Sequence, residues 1–549
     1  MATNYTHPGI YIQEMPSART IQGASTSVPA FIGVTGIYPG AGGPPVPPNL
    51  PTLITSWNAY QRQFGNLLWN GMVSWAVSEF FTEGGTSCYI VRAQDKNNAQ
   101  AATVSQSGIT LTAVTPGTWP NNMIGFVISN ADGSDPKTPT QVFNLAIVAD
   151  VDKLNTLPAN SVNATLQAYC TQNNLTTVQA GGKSYYVLES FNGYTKDTMT
   201  PQLQDAINAS SIFVHASTTN GTRPQNTNTS PPQMLNNGGA PNWLFEDAWK
   251  TLSAVQGLSL LAMPDTVNVT DASGNTVNAA QQATIINLAL LFCDQPAMRN
   301  LFYAVDPPFG QTVQGVNTFK TGGGTGTNAA PAINSTYGAL YYPWVSIYNS
   351  MDGTNVPIPP SGPALGRYAY TDANVGVWKS PAGVNDGLLA SVVQVQTSVT
   401  DSDQDTLNPN GVNAIRNLLG YGNVIYGART LAALGSEWTY VSVRRLFIYV
   451  EQSLKQSLQW VVFEPNDQTT WAAVTRDISA FLTTIWQAGG LFGATAAEAF
   501  FVTCDQTNNP PETRALGQMY IDVGLAPVYP AEFVIIRMTQ KVAGPDSGS

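Results

Sequence analysis

Apolar residues recur at helical spacing in two long stretches toward the carboxyl end of the chain. Val443, Phe447, Val450, Leu454 and Leu458 share one face, which predicts a helix there. Trp471, Val474, Ile478, Phe481, Leu482, Ile485 and Trp486 form a second stripe, predicting a helix from about Thr469 to Ala488 that Gly489-Gly490 ends. The other face of that helix, Arg476, Ser479, Thr483 and Gln487, is nearly uncharged. Between the two, Gln459 to Phe463 reads as a short strand stopped at Glu464-Pro465. A third helical period, Ile285, Leu288, Ala289 and Phe292, runs between two buried-strand runs, Leu258 to Met263 and Leu301 to Asp306. Strand, helix, strand in that order predicts a parallel βαβ unit. Ser211 to Ala216 is a further buried-strand run.

The earlier part of the chain is dominated by short β-branched runs: Ser87 to Arg92, Ile109 to Val114, Met123 to Ser129 and Val142 to Val148. Stretches 36–51, 218–241 and 321–331 are rich in Gly, Pro, Asn and Thr and read as surface loops. Both ends break the usual pattern. Along Ala531 to Met538, Phe533 and Ile535 point one way and Val534, Ile536 and Met538 the other, so both faces are apolar. Such a strand belongs inside a sheet, whereas a terminus is normally polar and frayed. Near the amino end, Ile10, Tyr11 and Ile12 sit in a short strand followed by a polar leash from Pro16 to Ser27. Sticky strands at both ends predict a subunit that lends strands to its neighbours' sheets.

Composition sharpens this picture. At 549 residues the chain needs several domains. Only 10% of residues are Asp, Glu, Lys or Arg, against about 25% in ordinary soluble domains. A charge-poor surface suits burial against other protein, and equally suits a secreted protein with a neutral polar exterior. A net charge of −11 with no run of Lys and Arg argues against nucleic acid as a partner. No apolar run is long enough for a membrane span, and the amino terminus lacks the apolar core of a secretory signal. Cys88, Cys170, Cys293 and Cys504 have no ligand-type spacing and read as buried free thiols of a reducing cytosol.

Candidate chemistry is sparse. A serine hydrolase would need His215, placed with Asp265 and Asp306 near the carboxyl ends of parallel strands, and Ser217 or Ser259 as nucleophile. No G-x-S-x-G elbow accompanies them, and Asp beside Pro at a strand end is equally a turn former. Gly181-Gly182-Lys183-Ser184 imitates a phosphate loop but leads into a strand, so it reads as a hairpin turn. Asp401, Asp403 and Asp405 lack the glycine and glutamate of a calcium loop and read as a solvated acidic loop. Two distant histidines and scattered cysteines supply no metal cluster. The expectation is therefore no catalytic residue, no metal and no cofactor.

A set of blocks in order resembles the contractile tail sheath proteins of phage tails, R-type pyocins and related contractile injection systems. They are Pro8-Gly9-Ile10-Tyr11-Ile12-Gln13-Glu14, Ser27 to Gly33, Pro116-Gly117-Thr118-Trp119, Ala339 to Trp344 and Pro359-Pro360-Ser361-Gly362. They continue through Gly376 to Ala382, Leu407 to Arg416, Tyr426 to Leu431, Arg444-Arg445-Leu446, Phe463 to Asp467, Glu498 to Asp505 and Pro530 to Val534. The turn at 116–119 departs from the family pattern, with Pro120 where glycine is usual, and the resemblance is weakest from about 130 to 235.

The resemblance implies an α/β and α+β multidomain protein that is not an enzyme. Its expected segments are an amino-terminal linker arm (1–27), the amino-terminal part of the core (28–95), a β-rich variable outer domain (96–205), a non-catalytic subtilisin-like α/β middle domain (206–370), a C-terminal inner domain (371–530) and a C-terminal strand arm (531–549). It implies hexameric rings stacked around an inner tube, with arms that complete a sheet on a third subunit and a sleeve that contracts to drive the tube through a target envelope. Expected partners are further copies of the chain, the inner tube, and baseplate and terminal cap proteins, with no membrane insertion. Assembly would take place in the bacterial cytoplasm. The residues expected to link subunits are Ile10, Tyr11, Ile12, Phe533, Val534, Ile535, Ile536 and Met538, and those facing the tube Arg476, Ser479, Thr483 and Gln487. The rival readings are the hydrolase and a non-contractile shell protein.

Overall fold

The computed structural model describes residues 20–35, 47–69, 71–93, 100–114, 120–134, 137, 140–156, 164–227, 230–238, 245–268, 279–323, 330–349, 353–533, 535 and 537. Ile10, Tyr11, Ile12, Val534, Ile536 and Met538 lie outside the described residues.

Eight strands make the central sheet: β1 (Pro29–Gly33), β2 (Thr52–Ile54), β3 (Cys88–Arg92), β4 (Leu260–Ala262), β5 (Phe302–Val305), β6 (Gly338–Tyr342), β7 (Val412–Leu418) and β8 (Gly422–Ile425). Their spatial order is β8-β7-β6-β5-β4-β1-β3-β2. From β7 across to β3 all neighbours are parallel, and an antiparallel strand closes each edge. The inner strands are buried on both faces, which is why they read as unbroken apolar runs. The sheet takes strands from either side of the expected boundaries near 205 and 370.

Helices cover it, among them the following three. The first, α1 (Met72–Thr82), and the third, α3 (Ser361–Asn374), are buried on nearly all sides. The second, α2 (Ala279–Asp294), joins β4 to the parallel β5 as the predicted βαβ unit. Close contact between α1 and α3 needs glycine. A Cβ on Gly362 would lie 2.4 Å from Ala76 Cα, and one on Gly366 would lie 2.9 Å from the Phe80 carbonyl oxygen.

Two antiparallel sheets are inserted after β3. One joins Thr103–Gln106, Ile109–Ala113 and Val214–Thr218, and the other runs over five strands between Ile124 and Met234. Apolar residues of both, such as Leu111, Phe126 and Ile147, share the core of the central sheet. Gly181 and Gly182, at φ 56° and 79°, make the tight turn between Thr177–Ala180 and Lys183–Tyr194. The glycine-lysine segment is thus a hairpin turn.

The two long periodic segments form α4 (Val441–Ser457) and α5 (Gln468–Gln487). With an antiparallel pair, β9 (Phe500–Thr503) and β10 (Asp522–Leu525), they enclose a second core of Leu446, Val450, Val474, Ile478, Leu482 and Ile485. Helix α4 serves both cores, since Val441 and Ile448 belong to the first. Two expectations are corrected here. Residues 459–463 are not a strand: a single 3-10 turn, Gln459–Val461, leads to Phe463 in the left-handed region at φ 71°, its ring fully exposed. That short connection joins two helices, and no strand lies beside it to pair with among the described residues. Asp401, Asp403 and Asp405 are not in a loop but in a helix, Asp401–Leu407, started by a capping box between Thr400 and Asp403. Carboxylates suit a helix's first turn, where unpaired amides carry partial positive charge.

Candidate assembly interface

The residues proposed for hydrolysis fall in separate places: Ser217 lies two residues from His215 on one strand, while Ser259 and Asp265 flank β4 and Asp306 follows β5. His215 lies in the antiparallel strand Val214–Thr218, opposite Thr112, and not at the end of a parallel strand. The strand run there starts later than the sequence suggests, because Ser211 instead caps the turn into it with bonds from the amides of Phe213 and Val214. Ser259 precedes β4, where its hydroxyl accepts the Val28 amide at 3.0 Å, whereas Asp265 lies beyond the opposite end of that strand. The three residues of β4 between them alone span about 10 Å.

Asp265 and Asp306 do sit at the carboxyl edge of the parallel sheet, and both are buried. Asp265 accepts the amides of Val34 (2.7 Å), Met72 (2.7 Å) and Val73 (3.3 Å), so it satisfies the start of α1. Asp306 accepts the Ser361 amide at 2.8 Å at the start of α3. Helix amino termini are ready anion sites. Here the chain's own carboxylates fill them, at the edge where α/β proteins hold ligands. The four thiols are free and buried, and burial pushes Cys170 up to about 12 and Cys504 up to about 11. Thiols that resist ionisation are poor nucleophiles. Among the described residues no group of His, Cys, Asp and Glu could hold a metal ion, and no helix is long and apolar enough to cross a membrane.

The chain's unusual geometry is at the roots of its two arms. At the carboxyl root, Arg429 forks onto Glu532: Nε lies 2.9 Å from Oε1 and Nη2 lies 2.6 Å from Oε2. Asn408 donates to Oε1 at 2.6 Å and the Tyr440 hydroxyl to Oε2 at 3.2 Å. Burial alone would raise the Glu532 carboxyl, but the bonds from Arg429 and Asn408 and the guanidinium charge hold it below its usual value. Immediately beyond, Phe533 and Ile535 are 71% and 80% exposed, and neither is in a strand within this chain.

At the amino root, residues 21–26 lie along α4. The Thr26 carbonyl accepts from Arg445 at 2.8 Å, the Ala24 amide donates to Ser453 at 2.9 Å and the Gln22 amide to Ser457 at 3.3 Å. Followed toward its amino end, the leash thus runs toward the carboxyl end of α4. Ile21 is buried in the second core. Two adjacent arginines bolt α4 to the body. Arg445 is paired with Asp372 of α3 at 2.6 Å, both buried, while Arg444 stacks over Tyr337 (4.1 Å) and Trp438 (4.6 Å) and bonds the Tyr337 hydroxyl.

The pair β9–β10 has no further strand on either outer edge among the described residues, and Phe501 on it is 59% exposed. On α5, Arg476, Ser479 and Thr483 are half-buried and Gln487 is exposed. Arg476 is held at 3.2 Å against Asp477, whose side chain is buried. Sequence reading singles out neither the Arg429 cluster nor the two bolts. The blocks containing Asn408, Arg429 and Arg444-Arg445 were marked by resemblance, but no local period tells which residues meet across such sequence distances.

Comparison with known proteins converges on one family. The model described as the phage tail sheath protein central domain matches residues 260–431, and that of the phage tail sheath C-terminal domain matches 435–541, together just over half of the chain. The tail sheath protein of Vibrio phage KVP40 is 24% identical over 315 residues, covering 55% of this chain and 44% of that protein. That of Enterobacteria phage T4 is 24% identical over 257 residues, covering 47% and 38%. The chain thus spans less than half the length of these two relatives. The fold is similar, at 22% identity and a TM-score of 0.55, to the contracted sheath complex of the extracellular contractile injection system PVC, covering 98% of this chain and 99% of that one. The contracted helical sheath of the anti-feeding prophage gives 23% identity and a TM-score of 0.54, covering 98% and 100%. Blocks, matched domains and mixed α/β multidomain fold agree, and the chain belongs to the contractile tail sheath family.

Proposed function

We propose that this protein is a non-enzymatic sheath subunit. It polymerises as stacked hexameric rings around an inner tube and contracts to drive the tube through a target envelope. One observation carries the reading: exposed apolar residues follow directly on an anchored chain, in a molecule that also holds a two-stranded sheet whose edges are open among the described residues. Such a pair is marginal alone and needs further strands. The arm residues Phe533, Val534, Ile535, Ile536 and Met538 of one neighbour, and Ile10, Tyr11 and Ile12 of another, supply strands to β9–β10. The segment 206–370, read as a subtilisin-like fold without its catalysis, and the C-terminal inner domain then move as bodies while the exchanged strands keep subunits tethered. The face of α5 carrying Arg476, Ser479, Thr483 and Gln487 meets the tube; a mostly polar contact of this kind releases when the sleeve shortens. Baseplate and cap proteins terminate the sleeve, and assembly is cytoplasmic.

The test is a double substitution, Val534→Asp with Ile535→Asp. Each carboxylate would have to be buried in a neighbour's sheet without a partner, at a cost of several kcal/mol. The variant is expected to fold with an unchanged melting temperature and to form no sleeves by electron microscopy. Normal sleeves would refute the exchanged strand.

A further inference from the structure

Glu532 stands at a boundary one residue wide. Its side chain is only 18% exposed, held by an Arg429 side chain that is 12% exposed, whereas Phe533 next to it is 71% exposed. Tyr529 and Ala531, on the other side, are exposed too. The cluster therefore sits where little apolar core requires it.

We propose that Glu532 is a positioning residue for assembly: the Arg429 fork, braced by Asn408 and Tyr440, fixes where and in which direction the C-terminal strand leaves the subunit. The proposal rests on reading that strand as one lent to a neighbour. Its geometry is specific. A bidentate guanidinium sets the plane as well as the place of a carboxylate. Oε1 accepts two bonds and Oε2 three, from donors on three separate pieces of chain: Asn408 after the Asp401–Leu407 helix, Arg429 beyond β8, and Tyr440 at the start of α4. A strand pinned at its root has less orientational freedom to lose when it docks, which raises the productive fraction of encounters.

Helix α4 extends the argument to the other arm. The carboxyl root is bonded at Tyr440, at its amino end, and the amino-terminal leash departs past Ser457, at its carboxyl end. Seventeen residues of helix span about 25 Å. One rigid element, bolted to the body through Arg444 and Arg445, thus sets the spacing between the two arms.

The experiment compares Glu532→Gln and Arg429→Lys, which remove the fork but preserve bulk, with Ile535→Asp, which spoils the strand itself. For each purified subunit the melting temperature is measured, and sleeve elongation is followed by light scattering and electron microscopy. Both fork variants are expected to melt within about 3 °C of the parent and to elongate about tenfold more slowly, in line with the loss of charge-assisted hydrogen bonds. Ile535→Asp is expected not to elongate. Fork variants that elongate at the parental rate, or that slow only together with a larger fall in melting temperature, would overturn the positioning role and leave strand lending intact. Normal elongation by Ile535→Asp would instead remove the strand-lending reading on which the proposal stands.

Discussion

A single buried carboxyl illustrates how this chain treats charge. Burial pushes Asp306 up to about 7; the Ser361 amide opposes the rise and nearby Asp265 adds to it. Glu79 is also pushed to about 7 by burial, with nearby Glu83 adding to the rise. In both, the folded value lies above the unfolded one, so the folded chain retains protons that the unfolded chain has released. Their contribution to stability is full in acid, below the unfolded value, and is lost as pH rises through 7. Lowering the pH from 8 to 6 should stabilise the subunit by about 1.4 kcal/mol for each such carboxyl. Asp306→Asn keeps an acceptor for the Ser361 amide and removes one proton, so thermal melts across that range should show a smaller rise than the parent. An identical rise would mean that Asp306 stays ionised in the folded subunit.

At the scale of elements, α1 and α3 touch through backbone, because Gly362 and Gly366 present no side chain to Ala76 and Phe80. Gly362→Ala should overpack this crossing and cost about 1–3 kcal/mol; an unchanged melting temperature would show that the helices can move apart. These two helices were also the least legible in the sequence. Buried nearly all round, they lack the polar stripe that reveals α4 and α5, and Gly362 and Pro363 sit in the first turn of α3. Helix α2 and the flanking strands were readable because a run of helical period stood between two apolar runs of strand length. Gln459 to Phe463 misled for a related reason: apolar content marks a segment as sticky, but a strand exists only where an edge is available to pair with. His215 misled because a buried run does not say which sheet it joins. The arm roots were legible in part. Two-sided apolarity marked Phe533 and Ile535, but the carboxylate that anchors them finds its fork 103 residues away, in Arg429.

At the scale of the whole molecule, several arginines of the described residues are drawn inward. The chain has 23 Lys and Arg in 549 residues, and Arg367, Arg416, Arg429, Arg444 and Arg445 all have largely buried side chains. Each is tied to its own subunit, by a carboxylate or by aromatic rings. These five guanidiniums are therefore not free to pair across a boundary between copies. Contacts made by lent backbone and apolar side chains do not weaken when added salt shortens the range of electrostatics from about 10 Å at 0.1 M to about 3 Å at 1 M. A sleeve built from this subunit should therefore sediment unchanged in 1 M sodium chloride and fall apart in urea, which solvates both peptide and apolar groups. Dissolution by salt alone would mean that ion pairs between subunits hold it. A particle of this kind would carry its cohesion unaltered from dilute buffer into brine.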